Sequence, residues 1–156
     1  MSDERPHTGL LVDANLLVLL VAGRTDPGLI AKHKRLRDFT AEDYDRLISL
    51  IGGFGKVLVT PNTLTEASNL LAQHADPERS RTFGMLRFLI EEADEVVIAS
   101  ADAARNRSFG RLGLTDAVLL EVVSDATPLV TVDLDLYLEA SRHAPNAAFN
   151  FRHLTA

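Results

Sequence analysis

Four acidic residues stand where apolar runs end or where helices begin. Asp13 follows Leu10-Leu11-Val12, Glu66 follows Thr63-Leu64-Thr65, Asp116 follows Leu114-Thr115, and Asp133 follows Leu129-Val130-Thr131-Val132. Carboxylates in this number, gathered in one place, suit hard divalent cations such as Mg²⁺ or Mn²⁺. Magnesium takes few carboxylates and keeps several waters, which leaves positions for phosphate oxygens. Two such ions about 3.5–4 Å apart activate water and stabilise the leaving oxygen in phosphoryl transfer. That chemistry asks for acids, not for a nucleophilic side chain.

Each acid also has a purely structural explanation. Asp13 has the right type and place to cap the helix after the first strand. Thr63-Leu64-Thr65-Glu66 matches a capping box, in which Glu66 bonds back to the Thr63 backbone. Asp116, near a helix start, is favoured by the helix dipole whatever else it does. Asp133 and Asp135 both sit near a helix start, where one acid suffices as a cap. Singly these signals are weak; four acids on one sheet edge are a stronger one.

The elements that must bring the acids together read as alternating strands and helices. Leu10 to Val12 form a short apolar strand, followed by a Leu-rich helix over Leu16 to Ala22. Thr40 caps a helix with acids in its first turn, and Gly52-Gly53 are expected to stop it. Strands are expected at Lys56 to Val59, Glu95 to Ala99 and Leu129 to Val132, with a possible edge strand at Phe149 to Phe151. Helices fill the intervals: one that Thr60-Pro61-Asn62 turns into and that runs to about His74, one after Asp76-Pro77, one from Thr115, and one over Leu136 to His143. This alternation predicts an α/β fold, with a central parallel sheet of four to five strands flanked by helices. Ligands bind such sheets beyond the carboxyl ends of the strands. Asp13 and Asp133 fall there, and Glu66 and Asp116 lie in helix turns that begin near the same edge.

Bulk properties narrow the class. A length of 156 residues suits one domain, with residues 1–8 expected to form a flexible N-terminus. The absence of cysteine excludes disulfide scaffolds, thiolate zinc ribbons and cysteine nucleophiles, and is compatible with the cytoplasm. No basic-then-apolar leader opens the chain, and no apolar run approaches the roughly 20 residues that span a bilayer, so no membrane partner is expected. The histidines show no His-x-x-x-His spacing, and no Gly-x-Ser-x-Gly supports acyl transfer. Gly52-Gly53-Phe54-Gly55-Lys56 has the wrong spacing for a phosphate loop and carries Val57 where Ser or Thr should follow. The net charge of −6 counts against nucleic-acid binding, but cations bound by the acidic cluster would neutralise much of it. The densest positive strip is Lys32-His33-Lys34-Arg35-Leu36-Arg37, which reads either as a solvated face or as a phosphate-contacting patch through Lys32, Lys34, Arg35 and Arg37.

Leu11-Val12-Asp13-Ala14-Asn15, Thr63-Leu64-Thr65-Glu66, Leu114-Thr115-Asp116-Ala117 and Val130-Thr131-Val132-Asp133-Leu134-Asp135 together resemble the four acidic motifs of PIN-domain ribonucleases. They come in the family's order and cover nearly the whole chain. The resemblance implies a single three-layer, Rossmann-like PIN domain over 1–156 and a Mg²⁺- or Mn²⁺-dependent endoribonuclease acting on single-stranded RNA. It implies Asp13, Glu66 and Asp116 as core metal ligands, Asp133 as the fourth acid, and Asp135 as auxiliary. Asn15 and Thr131 match polar positions that support the cluster. Many single-domain members are VapC-like toxins of toxin–antitoxin pairs, so an antitoxin partner and a homodimer are further expectations. The segment from Gly23 to Lys56 is longer than in the smallest members. Leu136 stands where an aromatic is common.

Two rival readings remain. One is a PIN-fold module that binds RNA or protein without catalysis; the intact set of acids argues against it. The other is a phosphohydrolase for small phosphoesters, but an aspartyl-nucleophile enzyme would want a second acid where Asn15 stands.

Overall fold

The computed structural model describes residues 8–154. The N-terminus expected to be flexible lies outside the described residues, save for Thr8. The chain runs β1 (Leu10–Val12), α1 (Ala14–Thr25), two 3₁₀ turns (Pro27–Leu29 and Lys34–Leu36), α2 (Ala41–Phe54), β2 (Val57–Val59) and α3 (Pro61–Leu71). It continues through α4 (Glu78–Glu92), β3 (Asp94–Glu95), α5 (Ser100–Ala104), α6 (Phe109–Leu112), α7 (Leu114–Val122), β4 (Leu129–Thr131), α8 (Leu134–Ser141), β5 (Ala148–Asn150) and α9 (Phe151–Leu154).

The strands form one all-parallel sheet in the order β3-β2-β1-β4-β5. Helices cover both faces, giving the three-layer, Rossmann-like α/β architecture. The central strands are apolar at every position except Thr131, which ends β4, because both faces are buried. Leu10, Val12, Val57, Val59 and Val130 face a core shared with α1, α2, α3 and α4. Leu11, Leu58 and Leu129 point the other way, into a core shared with α7 and α8. That is the two-residue alternation of a strand, with apolar side chains required on both sides.

The helix α1 is wrapped by α2, α3 and α4 as well as the sheet, which is why its sequence is apolar nearly all round. Leu16, Leu17, Leu19 and Leu20 are wholly inaccessible. Burial of one such leucine contributes about 1.5–3 kcal/mol, so the start of α1 is firmly placed, and Asp13 and Asn15 with it. Gly23 lets α2 approach, because a Cβ there would overlap the Tyr44 ring.

Several local expectations are corrected. Gly52 and Gly53 lie inside α2, which ends instead at Gly55, a left-handed C-cap at φ 79° whose N–H donates to the Ile51 carbonyl. The third strand is Asp94–Glu95, which shares only Glu95 with the expected Glu95 to Ala99; Val96 still donates to the Val59 carbonyl, but at this edge Val97 is 70% exposed and nothing extends the ladder. The edge strand expected at Phe149 to Phe151 is β5, one residue earlier, and Phe151 instead opens α9, which follows it. Among the described residues no helix is long and apolar enough to cross a membrane.

Candidate active site

The sheet reverses its direction of growth beside β1. From β1 the chain steps outward to β2 and β3, then returns to the other side with β4 and β5. The crevice outside the carboxyl ends of β1 and β4 is therefore the topological switch point, where open α/β sheets bind ligands. A cleft of about 500 Å³ opens there, and Asp13, Glu66, Asp116 and Asp133 all line it. The sheet and its flanking helices thus bring together four acids drawn from a span of 120 residues.

Each acid is delivered by a different element. Asp13 ends β1 and caps α1: its Oδ1 accepts the Ala14 N–H at 2.8 Å, and its Oδ2 accepts the Thr131 hydroxyl at 2.7 Å. Thr131, at the end of β4 and fully buried, also accepts the Asp133 N–H at 3.0 Å. One hydroxyl thus ties together the ends of β1 and β4 and the entry to α8. Asp133 caps α8, its Oδ1 accepting the Leu136 N–H at 3.2 Å, while its carboxylate also lines the cleft. For Asp13 and Asp133, capping and lining the cleft are therefore compatible roles.

Glu66 is not a capping residue. The box that opens α3 pairs Thr60 with Thr63, one turn earlier, and Pro61 takes the first helical position. Glu66 sits in the second turn, exposed to the cleft. Asp116 occupies the first turn of α7, half-buried, after Gly113 at φ 89°. Asp135 is exposed and does not line the cleft, which leaves Asp133 as the fourth acid of the set.

The electrostatics record the crowding. Burial raises the Asp13 carboxyl above its usual range, the bonds from Thr131 and Ala14 oppose this, and the charge of Asp133 adds to it. Burial and the charge of Asp13 raise Glu66. Asp116 is raised from 3.8 to about 7, first by burial and then by the charges of Asp13, Asp133 and Glu66. Like charges in one partly desolvated cleft disfavour one another's ionisation. A divalent cation would remove that penalty.

The donor set fits hard cations. The cleft offers carboxylates, with the carboxamides of Asn15, Asn62 and Asn69 beside them, and no histidine. Among the described residues, no three His, Cys, Asp or Glu side chains are grouped closely enough to hold a metal ion as they stand. Asn62, Thr65, Asn69 and Thr115 were not singled out by sequence reasoning. Asn62, Glu66 and Asn69 recur at four- and three-residue intervals, one face of α3, so the spacing around Glu66 carried the signal.

The basic strip lies nearby. Lys34, Arg35 and Arg37 line a second cleft of about 700 Å³, joined by Arg152 of α9. Lys32 lies outside it, over a small hollow with His33 and His74. Asn15 lines both the acidic and the basic clefts.

No family model matches the chain, and no curated protein matches it. Among solved structures, the fold is similar to that in the crystal structure of PAE2754 from Pyrobaculum aerophilum. The TM-score is 0.57 at 19% identity, over 94% of this chain and 92% of that one. At that identity the likeness speaks for the fold alone.

Proposed function

We propose that this chain is a Mg²⁺- or Mn²⁺-dependent endoribonuclease of the PIN type, cutting single-stranded RNA by hydrolysis. The observation that carries this reading is the convergence of Asp13, Glu66, Asp116 and Asp133 on one cleft at the switch point of the sheet. These four residues would hold the divalent ions. Bound there, such ions lower the pKa of a water and stabilise charge on the phosphoryl oxygens.

The chain's own groups do the rest. Thr131 holds the Asp13 carboxylate in one orientation by donating to Oδ2, and supports its ionised form. The Leu136 and Ala14 N–H groups fix Asp133 and Asp13 at helix starts. Asn62, Asn69 and Thr115 offer neutral hydrogen-bonding groups that hold a phosphate or ribose without adding charge. Water attacks the phosphorus in line with the departing 3′-oxygen, leaving 5′-phosphate and 3′-hydroxyl ends. The proposal extends to a VapC-like toxin role in the cytoplasm, with a homodimer and a neutralising antitoxin as partners. Co-purification with the product of the adjacent gene tests that part.

The test of the activity is cleavage of a mixed single-stranded RNA pool by wild type and Asp13→Asn, with Mn²⁺, Mg²⁺ or chelator. Metal-dependent cutting lost in a variant that keeps its fold is the expected result. No cutting by folded, antitoxin-free wild type would refute the nuclease and favour a binding module.

A further inference from the structure

We infer that the cleft lined by Lys34, Arg35, Arg37 and Arg152 is a phosphate-binding subsite through which a single-stranded RNA enters the acidic cleft. The inference rests on the nuclease reading for what the strand is delivered to. It adds that cleavage needs several nucleotides on one side of the scissile bond, because the strand is held there and not at the acids.

Continuity is the first support. Asn15, the second residue of α1, lines both clefts, and Val132 of the basic cleft is bonded to Asp133 of the acidic one. The second is the state of the cations. Arg24, Arg46, Lys56, Arg81, Arg105, Arg107, Arg111 and Arg142 each lie within 4.0 Å of a carboxylate. Among the described residues Lys34, Arg35 and Arg37 pair with none and gather at one cleft, whereas Lys32, Arg79 and Arg87, also without such a pair, lie outside it, in a chain whose acids outnumber its Lys and Arg by 22 to 16. An acidic protein that gathers these three cations at one cleft without an ion pair, with Asp38 the one carboxylate residue in the lining, presents a site for an outside anion. Arginine forks match phosphate oxygens in pairs, which favours phosphate over a diffuse charge.

The third support is that the cations are pre-positioned. His33, almost fully buried, accepts the Arg35 N–H through Nδ1 at 3.1 Å; its protonated Nε2 then donates to the Leu70 carbonyl at 3.2 Å. Leu36 is buried to the last atom, and Arg37 Nε donates to the Lys34 carbonyl at 3.2 Å. Across the cleft, Arg152 donates to the Asp38 carbonyl at 3.1 Å and lies 4.4 Å over the Phe39 ring. A turn pinned this way holds its charges in place at little further entropic cost on binding. The placement also answers an electrostatic problem. Four carboxylates repel an incoming RNA, and a cationic surface one side chain away draws the strand in.

The experiment is equilibrium binding of a short fluorescent single-stranded RNA to the full chain in chelator, across a salt series. Wild type is compared with Lys34→Gln/Arg35→Gln/Arg37→Gln and with Lys56→Gln/Arg87→Gln/Arg105→Gln, which removes as much charge elsewhere. Three lost phosphate contacts make the slope of log K against log salt shallower by about 2, and affinity at low salt falls roughly tenfold or more. The control keeps the wild-type slope. With Mn²⁺, the cleft variant hydrolyses bis(4-nitrophenyl) phosphate like wild type but shows a raised KM for RNA at unchanged kcat.

An unchanged slope, or an equal loss in the control, overturns the inference. So does displacement of the RNA by a glutamate-rich peptide of equal charge, which would assign the cleft to an acidic protein, or tighter binding of a duplex. If the triple variant fails to fold, Lys34→Gln/Arg35→Gln keeps the Arg37 bond to the Lys34 carbonyl and predicts a change of about 1.4 in slope. The two readings fail separately. Wild type that binds RNA with the expected slope but hydrolyses neither substrate refutes the nuclease alone. Hydrolysis of both with an unaltered slope refutes the subsite alone.

Discussion

Asp116→Asn is expected to make the metal-free protein more stable while abolishing cleavage. Asp116 is half-buried, has no hydrogen-bond partner contributing to its ionisation, and faces the charges of Asp13, Asp133 and Glu66. Its carboxyl is raised from 3.8 to about 7. Felt in full, a displacement of that size separates its two protonation states by roughly 4 kcal/mol. The side chain is partly open to water, which screens the interaction, and about 1–2 kcal/mol remains.

The sign follows from proton counting. Between about pH 4 and about pH 7 the folded chain holds a proton on Asp116 that the unfolded chain has released, so stability falls as the pH rises through that window. Asparagine carries no such proton. The variant's advantage is therefore complete above pH 7 and shrinks toward nothing near pH 4. For a chain of this length it amounts to a rise in Tm of about 2–8 °C. Thermal unfolding in chelator at several pH values reads it directly. Added Mg²⁺ reverses the order, because wild type gains about 2.7 kcal/mol at a hundredfold excess over Kd, and the variant, short of a ligand, gains less. A variant no more stable than wild type at high pH, with a pH-independent difference, would show that the acids do not burden one another. The cluster argument would then fall.

Other substitutions probe the supporting bonds. Thr131→Val keeps the side-chain volume but removes the donor to Asp13 Oδ2 and the acceptor for the Asp133 N–H, at a cost of about 2–3 kcal/mol by chemical denaturation. Because the lost bond lowers the Asp13 pKa, the deficit should be larger above the carboxylate range than below it, and cleavage should fall; equal stability to wild type would refute the tie. Asp135→Asn should leave RNA cleavage within a few-fold of wild type, whereas Asp133→Asn should reduce it by orders of magnitude. The opposite ranking would transfer the fourth position to Asp135.

The convergence of the acids depends on relations that one-dimensional spacing does not carry. Asp13 and Asp133 meet because β4 pairs with β1 on the side opposite β2, a choice of strand order. Glu66 shows how a local pattern misleads. Thr63 and Glu66 have capping-box spacing, yet Thr60-Pro61 starts the helix three residues earlier, and the packing of α3 against α1 then turns Glu66 to the cleft. Gly52 and Gly53 looked like helix stops, but α2 passes through them on its solvent side and ends where only Gly55 meets the positive φ. Arg152 carried no sequence signal as a cleft residue, since its partner Asp38 lies 114 positions away.

By itself the sequence determined the alternation of strand and helix, the two-faced burial of the sheet, the capped starts of α1, α2 and α8, and the four acids with Thr131 beside them. These are local properties, set by the period of apolar residues and by capping chemistry within a turn or two. Tertiary structure alone decided that Asp133 and not Asp135 lines the cleft, that Glu66 is free of capping, and that the basic turn adjoins the acids at Asn15. Those outcomes depend on which strands pair and which helices pack, and side chains distant in sequence meet only after both are settled.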